Sequence, residues 1–140
     1  MPDELSLSQT IHDHLHLLHV GWRGHVTLGS IARGYETFSG MPEAGRVTRG
    51  LHDLRGIENL SLFQSGVDSL GEMIRTDAAN WGVSRRAAFV IAKRSLLSEL
   101  QAYVTAISEA EVLRARVFED MAEALDWLDL PEGFVAAASP

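Results

Sequence analysis

The chain has 140 residues, of which 46% are hydrophobic, 22% charged and 7% aromatic, and its net charge is −7. This composition is that of a single globular domain with a substantial core, and it excludes an intrinsically disordered chain. The lack of cysteine excludes disulfides and thiolate chemistry, and the acidic balance argues against nucleic-acid binding.

The compartment follows from features that the sequence lacks. The N-terminus is acidic and has neither the basic start nor the apolar centre of a signal peptide. No apolar run approaches the roughly 20 residues needed to cross a bilayer. We therefore expect a cytoplasmic protein without membrane insertion.

The N-terminal part is predicted to contain strands followed by a helix. Alternating apolar residues predict a strand over 15–27. Residues 5–12 form either a preceding edge strand, with a turn near Asp13, or the first part of one long strand. Thr27 is the expected N-cap of a helix that ends at Gly40.

The middle of the chain predicts a strand, a helix and a second strand. The first strand is expected over 47–54. The helix is expected from about Ser61, with an apolar face formed by Phe63, Val67, Leu70 and Ile74. The strand over 86–93 is apolar at its centre without alternation, which is typical of a parallel strand covered on both faces.

The C-terminal part predicts a helix, a strand and a last helix. Ser95 is the expected cap of the first helix, whose buried face is formed by Leu96, Leu100, Tyr103, Val104 and Ile107. The last strand is expected over 112–118. Asp120 and Glu123 then form a predicted capping box, and Pro131 ends the final helix.

The alternation of strands and helices predicts the fold class. We expect a single α/β domain with a mixed, mostly parallel sheet of four or five strands packed against about four helices. The domain is expected over 15–130, after an N-terminal arm or edge strand over 1–14 and before a frayed tail over 131–140.

Short motifs resemble a known family. Residues 117–128 are similar to the VF-x-D-x-x-x-A-x-x-W-L ending of the small bacterial STAS-like proteins, and the stretch 24–27 resembles their G-x-V-T start. The strands at 51–55 and 86–91 also resemble that family. These proteins are relatives of the sporulation anti-anti-sigma factor, and their fold is compared with CRAL-TRIO lipid-binding domains. The resemblance implies the same mixed sheet and a regulatory or ligand-binding role.

One feature of the anti-anti-sigma factors is missing. Their loop after the second main strand carries a phosphorylatable serine in a D-S-S-G motif, whereas the corresponding stretch here is 59–63, with Leu62 at the serine position. Ser61 and Ser65 lie nearby, but neither is the motif serine. The phosphorylation switch is therefore not expected in this chain.

Polar residues at predicted strand ends are candidates for a ligand or partner site. Ligands of open α/β sheets bind beyond the carboxyl ends of the strands. Asp53 and Arg55 end a predicted central strand, and Ser61 follows them. Asp53 is a candidate hydrogen-bond acceptor and Arg55 a candidate anion anchor. Alternatively, the two residues pair with each other. His52 is expected to point to the opposite face.

A second candidate lies after the next strand. Lys93, Arg94 and Ser95 place two cations at a helix start, where free backbone amides bind anions. The stretch has no phosphate-binding glycine loop, and an exposed basic turn is the competing interpretation. Arg85 and Arg86 begin the same strand and are expected at its far end.

Three alternating histidines are weak candidates for a metal site. On a straight strand His12, His14 and His16 project from one face, where imidazoles hold Zn²⁺ or Ni²⁺. A turn at Asp13 removes this arrangement. We expect no catalytic residues, no dedicated metal and no cofactor.

Two functions follow from these features. The first is a non-enzymatic regulatory or protein-interaction module. It would form a homodimer through an apolar patch of Trp127, Phe118 and Leu130, or bind a partner protein. The second is a carrier or sensor of a small apolar or anionic ligand. That hypothesis predicts a pocket of roughly 300 Å³ or more between sheet and helices, lined by Phe63, Phe89 and Tyr103. An enzyme using Asp53 with a histidine is a third, weaker alternative.

Overall fold

A single five-stranded sheet organises the protein, whose computed structural model describes residues 6–108, 112–131 and 134. The strands are β1 (Ser6–His12), β2 (Leu17–Thr27), β3 (Arg49–Ser61), β4 (Arg85–Val90) and β5 (Leu113–Phe118). They lie in the order β1-β2-β3-β4-β5, with β1 antiparallel to β2 and all other neighbours parallel. The predicted α/β fold class with a mixed, mostly parallel sheet is confirmed.

Four helices cover the two faces of this sheet unequally. They are α1 (Leu28–Ser39), α2 (Gln64–Ala78), α3 (Leu97–Ile107) and α4 (Met121–Trp127). The first three each connect adjacent parallel strands, and right-handed crossovers place them on one side, which we call the front face. α4 packs on the opposite side, the back face. No helix in the described part of the chain is long and apolar enough to cross a membrane.

The N-terminal residues form a separate edge strand. The chain reverses at a 3-10 turn, Asp13–Leu15, after which His16 adopts a left-handed conformation with φ of 51°. β1 then pairs along its whole length with β2. The alternative of one long strand is wrong, because the turn returns the chain antiparallel to itself. Residues 1–5 lie outside the described part.

Local capping sets two helix starts as predicted. At α1, the Thr27 hydroxyl accepts the Ser30 amide at 3.1 Å, and the Ser30 hydroxyl accepts the Thr27 amide at 2.9 Å. At α4, the Asp120 carboxylate accepts the Ala122 amide at 2.9 Å. The return bond expected from Glu123 is not formed with any residue that the structure describes.

α2 begins later than its apolar spacing predicts. β3 runs to Ser61, because β2 continues to pair with it through two bulges, and the helix therefore starts at Gln64. Phe63 precedes the helix with 64% of its surface exposed, so its predicted place on the buried face is wrong. The other three residues of that face, Val67, Leu70 and Ile74, are buried as predicted.

The back face has its own compact core. Its fully enclosed members are Leu17, Leu51, Ala88, Val90, Ala124 and Leu128. Phe118 and Leu130 belong to the same core and are buried, and the half-buried Trp127 ring lies 5.5 Å from the Phe118 ring. The predicted exposed patch of these three residues is therefore wrong, because α4 folds them against the sheet.

The C-terminal residues are described only in part. Most of the predicted frayed tail, namely 132, 133 and 135–140, lies outside the described residues. Phe134 is buried on the back face, where its ring lies 5.1 Å from that of His12 and 5.4 Å from that of His19. This aromatic side chain thus covers β1 and β2 on the back face.

Candidate functional site

Asp53 and Arg55 lie within β3 rather than at its end. The strand continues to Ser61, so the predicted strand end is wrong. The neighbouring β4 nevertheless stops at Val90, directly opposite Asp53. The pair therefore lies where the sheet narrows to the β2–β3 ribbon, and the alternation along β3 places it on the back face with Leu51.

The two charged groups bind each other. Arg55 donates its backbone N–H (3.1 Å) and Nε (2.9 Å) to one Asp53 oxygen and Nη2 (2.9 Å) to the other. Burial raises the pKa of Asp53, but the hydrogen bonds and charge of Arg55 outweigh it and hold that pKa below its usual value. The carboxylate is ionised and occupied, which leaves neither partner free as a base or an anion anchor.

Ser61 and Lys93 make separate local contacts. The Ser61 hydroxyl lies 2.8 Å from His25 Nε2 across the β2–β3 ribbon. Lys93 donates from Nζ to the backbone oxygen of Glu58 at 3.3 Å. These contacts stabilise the exposed end of the ribbon and do not form a cleft.

The predicted anion site at the start of α3 is not built as expected. Arg94 lies 3.8 Å from the Glu119 carboxylate, and both side chains are exposed. Ser95 lies inside a 3-10 turn, Arg94–Leu96, and α3 starts after Leu96 without a side-chain cap. The predicted Ser95 cap is wrong, because this turn moves the helix start one residue along the chain, from Leu96 to Leu97.

The histidines do not share one face. The His12 and His14 rings lie 6.4 Å apart, but His16 Nδ1 lies 3.1 Å from the Arg46 backbone oxygen after the turn. Within the described residues no group of three potential ligands is arranged to hold a metal. His12 Nε2 is buried and has no hydrogen-bond partner in the described part of the chain. His19 lies beside it, and burial lowers the His19 pKa. This arrangement packs imidazoles under Phe134 instead of presenting them to a metal.

The front face contains a feature of another kind, a cavity of about 120 Å³ between the sheet and its three helices. The sheet contributes two small residues, Gly50 and Ala87. A Cβ at Gly50 would lie 3.3 Å from His52 Nε2, so a larger residue there would crowd the imidazole. The helices contribute Ile31, Tyr35, Phe38, Ile74, Leu100, Tyr103 and Ile107. The lining of this partly open cavity is therefore mostly apolar.

The cavity differs from the predicted pocket in size and lining. It is smaller than the roughly 300 Å³ expected of a pocket for a drug-sized ligand. Phe89 and Tyr103 line it as predicted, and Trp81 does as well. Phe63 does not, because the extension of β3 leaves it on the surface.

Two uncharged polar groups face this apolar space. His52 stacks on Phe89 with ring centroids 4.4 Å apart, on the front face as predicted, and burial lowers its pKa to about 4. Burial raises the pKa of Tyr103, so that its hydroxyl stays protonated. Neither side chain makes a hydrogen bond within the residues that the structure describes. A neutral imidazole and a phenol are thus available to a bound molecule.

Three arginines also line the cavity, and two of them, Arg49 and Arg86, donate to the backbone oxygens of Leu128 and Trp127. The third is Arg85. Arg85 lies at the start of β4, with Cζ 4.1 Å from the centre of the Trp81 ring and 5.8 Å from that of Phe38. Its Nη2 donates to the Ala44 backbone oxygen at 3.0 Å, whereas Nε is buried without a partner in the described part of the chain. Burial lowers the pKa of Arg85, which is the direction expected for a desolvated cation.

The sequence contained only faint signals for this site. Gly50 is a glycine inside a strand, which indicates a close approach or an open space beside the sheet. Arg85 was separable from the other basic residues by its position at the opposite end of β4. His52 was placed on the correct face, and the pocket predicted between sheet and helices included Phe89 and Tyr103 but neither His52 nor Arg85.

Comparisons with known proteins do not extend the assignment. No family model matches the chain, and no curated protein is significantly similar to it in sequence. The resemblance to the STAS-like proteins therefore stays a prediction based on short motifs.

Proposed function

We propose that this protein is a non-enzymatic ligand-binding module whose front-face cavity takes a small, mostly apolar molecule with one polar group. The observation that carries the proposal is the cavity itself, which lies between the sheet and three helices. It is lined by His52 and Tyr103, which make no hydrogen bond within the described part of the chain. The role is that of a carrier or a sensor.

Incomplete packing between the sheet and the helices supports a functional role. Native cores contain few voids larger than a water molecule. A small ligand in this cavity would gain dispersion contacts with its mostly apolar lining.

The volume also limits the ligand. An apolar cavity of about 150 Å³ holds one benzene molecule. The cavity here is somewhat smaller, at about 120 Å³. We therefore expect a ligand of about five or six non-hydrogen atoms in the closed form, by proportion to that example.

The test is a titration of ¹⁵N-labelled protein with butan-1-ol, followed by NMR. We expect saturable shifts of the amide signals of Gly50, Ala87 and Tyr103, which line the cavity. Ala87→Val places two additional methyl groups in the cavity and should abolish these shifts. Ala102→Val, on the exposed side of α3, should leave the shifts unchanged. Non-saturable shifts, or saturable shifts unaffected by Ala87→Val, would contradict the proposal.

A protein-interaction module is the second candidate, because Phe63 is the most exposed of three large apolar side chains on the surface of the described residues. Phe63 lies at the end of the β2–β3 ribbon, beside Ser61, with 64% of its surface exposed. Such a side chain is suited to insertion into an apolar pocket of another protein.

Native mass spectrometry of untagged protein tests the homodimeric form of this second candidate. We expect a dimer that Phe63→Ser converts to a monomer. A monomer in both samples at high micromolar concentration would contradict dimerisation through Phe63, and any retained organic mass would identify the ligand class of the cavity directly.

A further inference from the structure

We infer that the ligand of the front-face cavity is a short aliphatic monocarboxylate and that Arg85 binds its carboxylate group. This inference rests on the proposed function, since it assigns the chemistry of a molecule in that cavity. Its basis is the arrangement around Arg85, which differs from that of the other arginines.

Arg85 is half-buried but lacks a carboxylate partner in the described part of the chain. Four other arginines each pair with a carboxylate, namely Arg46 with Asp13, Arg55 with Asp53, Arg86 with Asp129 and Arg94 with Glu119. Arg85 has instead one backbone acceptor and the faces of two aromatic rings. The protein therefore leaves a desolvated charge incompletely satisfied at the wall of a cavity.

A bound anion would stabilise the guanidinium group of Arg85. A desolvated charge is costly unless a counter-charge or several hydrogen bonds compensate it. A guanidinium has five N–H donors in a planar fork, and Arg85 uses one of them on Ala44. A carboxylate accepts two parallel hydrogen bonds from such a fork, and it is the anion whose geometry fits it best among small organic groups.

The rest of the cavity decides what is attached to the carboxylate. Apart from three arginines and the polar side chains of Gln9, Tyr35, His52 and Tyr103, the lining is apolar, and the volume of about 120 Å³ leaves space for a short hydrocarbon chain. A phosphate dianion would bring more charge than one cation neutralises into this apolar space. The net charge of −7 makes the global field unfavourable to anions, so selectivity for a carboxylate must come from the local cation.

The experiment compares two probes of the same shape, butanoate and butanamide, by isothermal titration calorimetry at pH 7 and fixed ionic strength. We expect butanoate to bind at least about tenfold more tightly, because a charge-assisted bidentate pair replaces neutral hydrogen bonds. Acetate, which has the carboxylate without the chain, is expected to bind at least about tenfold more weakly than butanoate.

Variants locate the preference. Arg85→Met should remove the advantage of butanoate and leave butanamide binding within about threefold of the unmodified protein, because the apolar contacts remain. Arg33→Met makes the same charge change on the exposed surface of α1 and should alter neither probe. Arg85→Lys keeps the charge but loses the fork, so an intermediate preference is expected.

The outcomes separate the two proposals. If butanamide and butan-1-ol bind in the cavity but butanoate has no advantage, the ligand-binding function stands and the carboxylate assignment is overturned. If butanoate is preferred equally in Arg85→Met, the site of the anion is wrong. If no probe binds the unmodified protein, both proposals fail, and this result does not depend on any variant being folded.

Discussion

The front and back faces of the sheet carry similar apolar residues but are packed differently. On the front face three helices enclose a large core that retains a cavity of about 120 Å³. On the back face α4 and Phe134 cover a smaller core whose central residues are completely inaccessible. A larger helical layer has thus produced looser packing, because its helices span small residues in β3 and β4.

Two consecutive alanines of β4 show what this difference means. Ala87 points to the front and lines the cavity, while Ala88 points to the back and has no exposed surface. The same residue type therefore leaves space on one face and fits a filled core on the other. The comparison teaches that the small residues of the front face serve the cavity, whereas those of the back face serve close packing.

The largest expected effect on stability comes from a substitution that disrupts the packing of the back face. Leu128 is fully buried and joins α4 to the sheet, so Leu128→Ala should lower the free energy of unfolding by about 3 to 4 kcal/mol. Leu97→Ala, at a half-buried position of α3, should cost only about 1 kcal/mol. Urea unfolding measures both, and equal losses would show that the back face is not closely packed.

The next effect concerns the neutral imidazole of the front face. Burial lowers the pKa of His52 from 6.5, its ordinary value, to about 4 in the folded protein, so the unfolded chain takes up the proton first. Its contribution to stability is therefore complete above pH 6.5 and is lost as the pH falls towards 4. The loss should be about 2 to 3 kcal/mol, since the ring keeps some accessibility.

His52→Phe keeps the stacking on Phe89 and removes this titration. The stability of the variant should depend less on pH than that of the unmodified protein between pH 6.5 and 4, as measured by chemical unfolding at each pH. His19 also has a lowered pKa and leaves a residual slope in the variant. Identical pH profiles would show that His52 is solvated.

A matched pair of substitutions sharpens the comparison between the faces. Ala88→Val should destabilise the protein by about 1 to 3 kcal/mol through overpacking. Ala87→Val should leave stability unchanged or raise it by up to about 1 kcal/mol, because it fills part of the cavity. Thermal unfolding of the two variants gives the difference directly, and equal destabilisation would argue against a cavity beside Ala87.

The smallest effect concerns the ion pair of the back face. Asp53→Asn removes the charge that holds Arg55 and should cost about 1 kcal/mol or less at neutral pH, since Arg55 is largely exposed. Because Arg55 holds the pKa of Asp53 below its ordinary value of 3.8, the stabilities of the two proteins should converge as the pH falls below that value. A loss that persists in acid would show that the side chain acts by packing instead of charge.

Parts of the fold could be predicted because their signals are local. Thr27 caps α1 through Ser30, and Asp120 caps α4, so that each helix start depends on residues within three positions. The end of β3 could not be predicted this way. Its polar second half, from Arg55 to Ser61, is a strand because β2 pairs with it, and that pairing joins residues more than 30 positions apart.

The candidate site shows the same limit. The sequence placed Asp53 beside Arg55, and their mutual pairing was one of the two predicted interpretations. It did not bring His52, Tyr103 and Arg85 to one cavity, because these residues come from three different elements. Their proximity depends on the spacing between α3 and the sheet, which no local pattern encodes.

The sequence by itself determined the α/β class, the order of its elements and which side of β3 carries His52. These properties follow from the periodicity of apolar residues and from caps that act over one helical turn. The tertiary structure alone decided that Phe63 is exposed, that Trp127 is folded against Phe118 and that a cavity remains beside Gly50. Packing density and the desolvation of Arg85 depend on all the elements that meet at one place, so they are set only once the whole chain has folded.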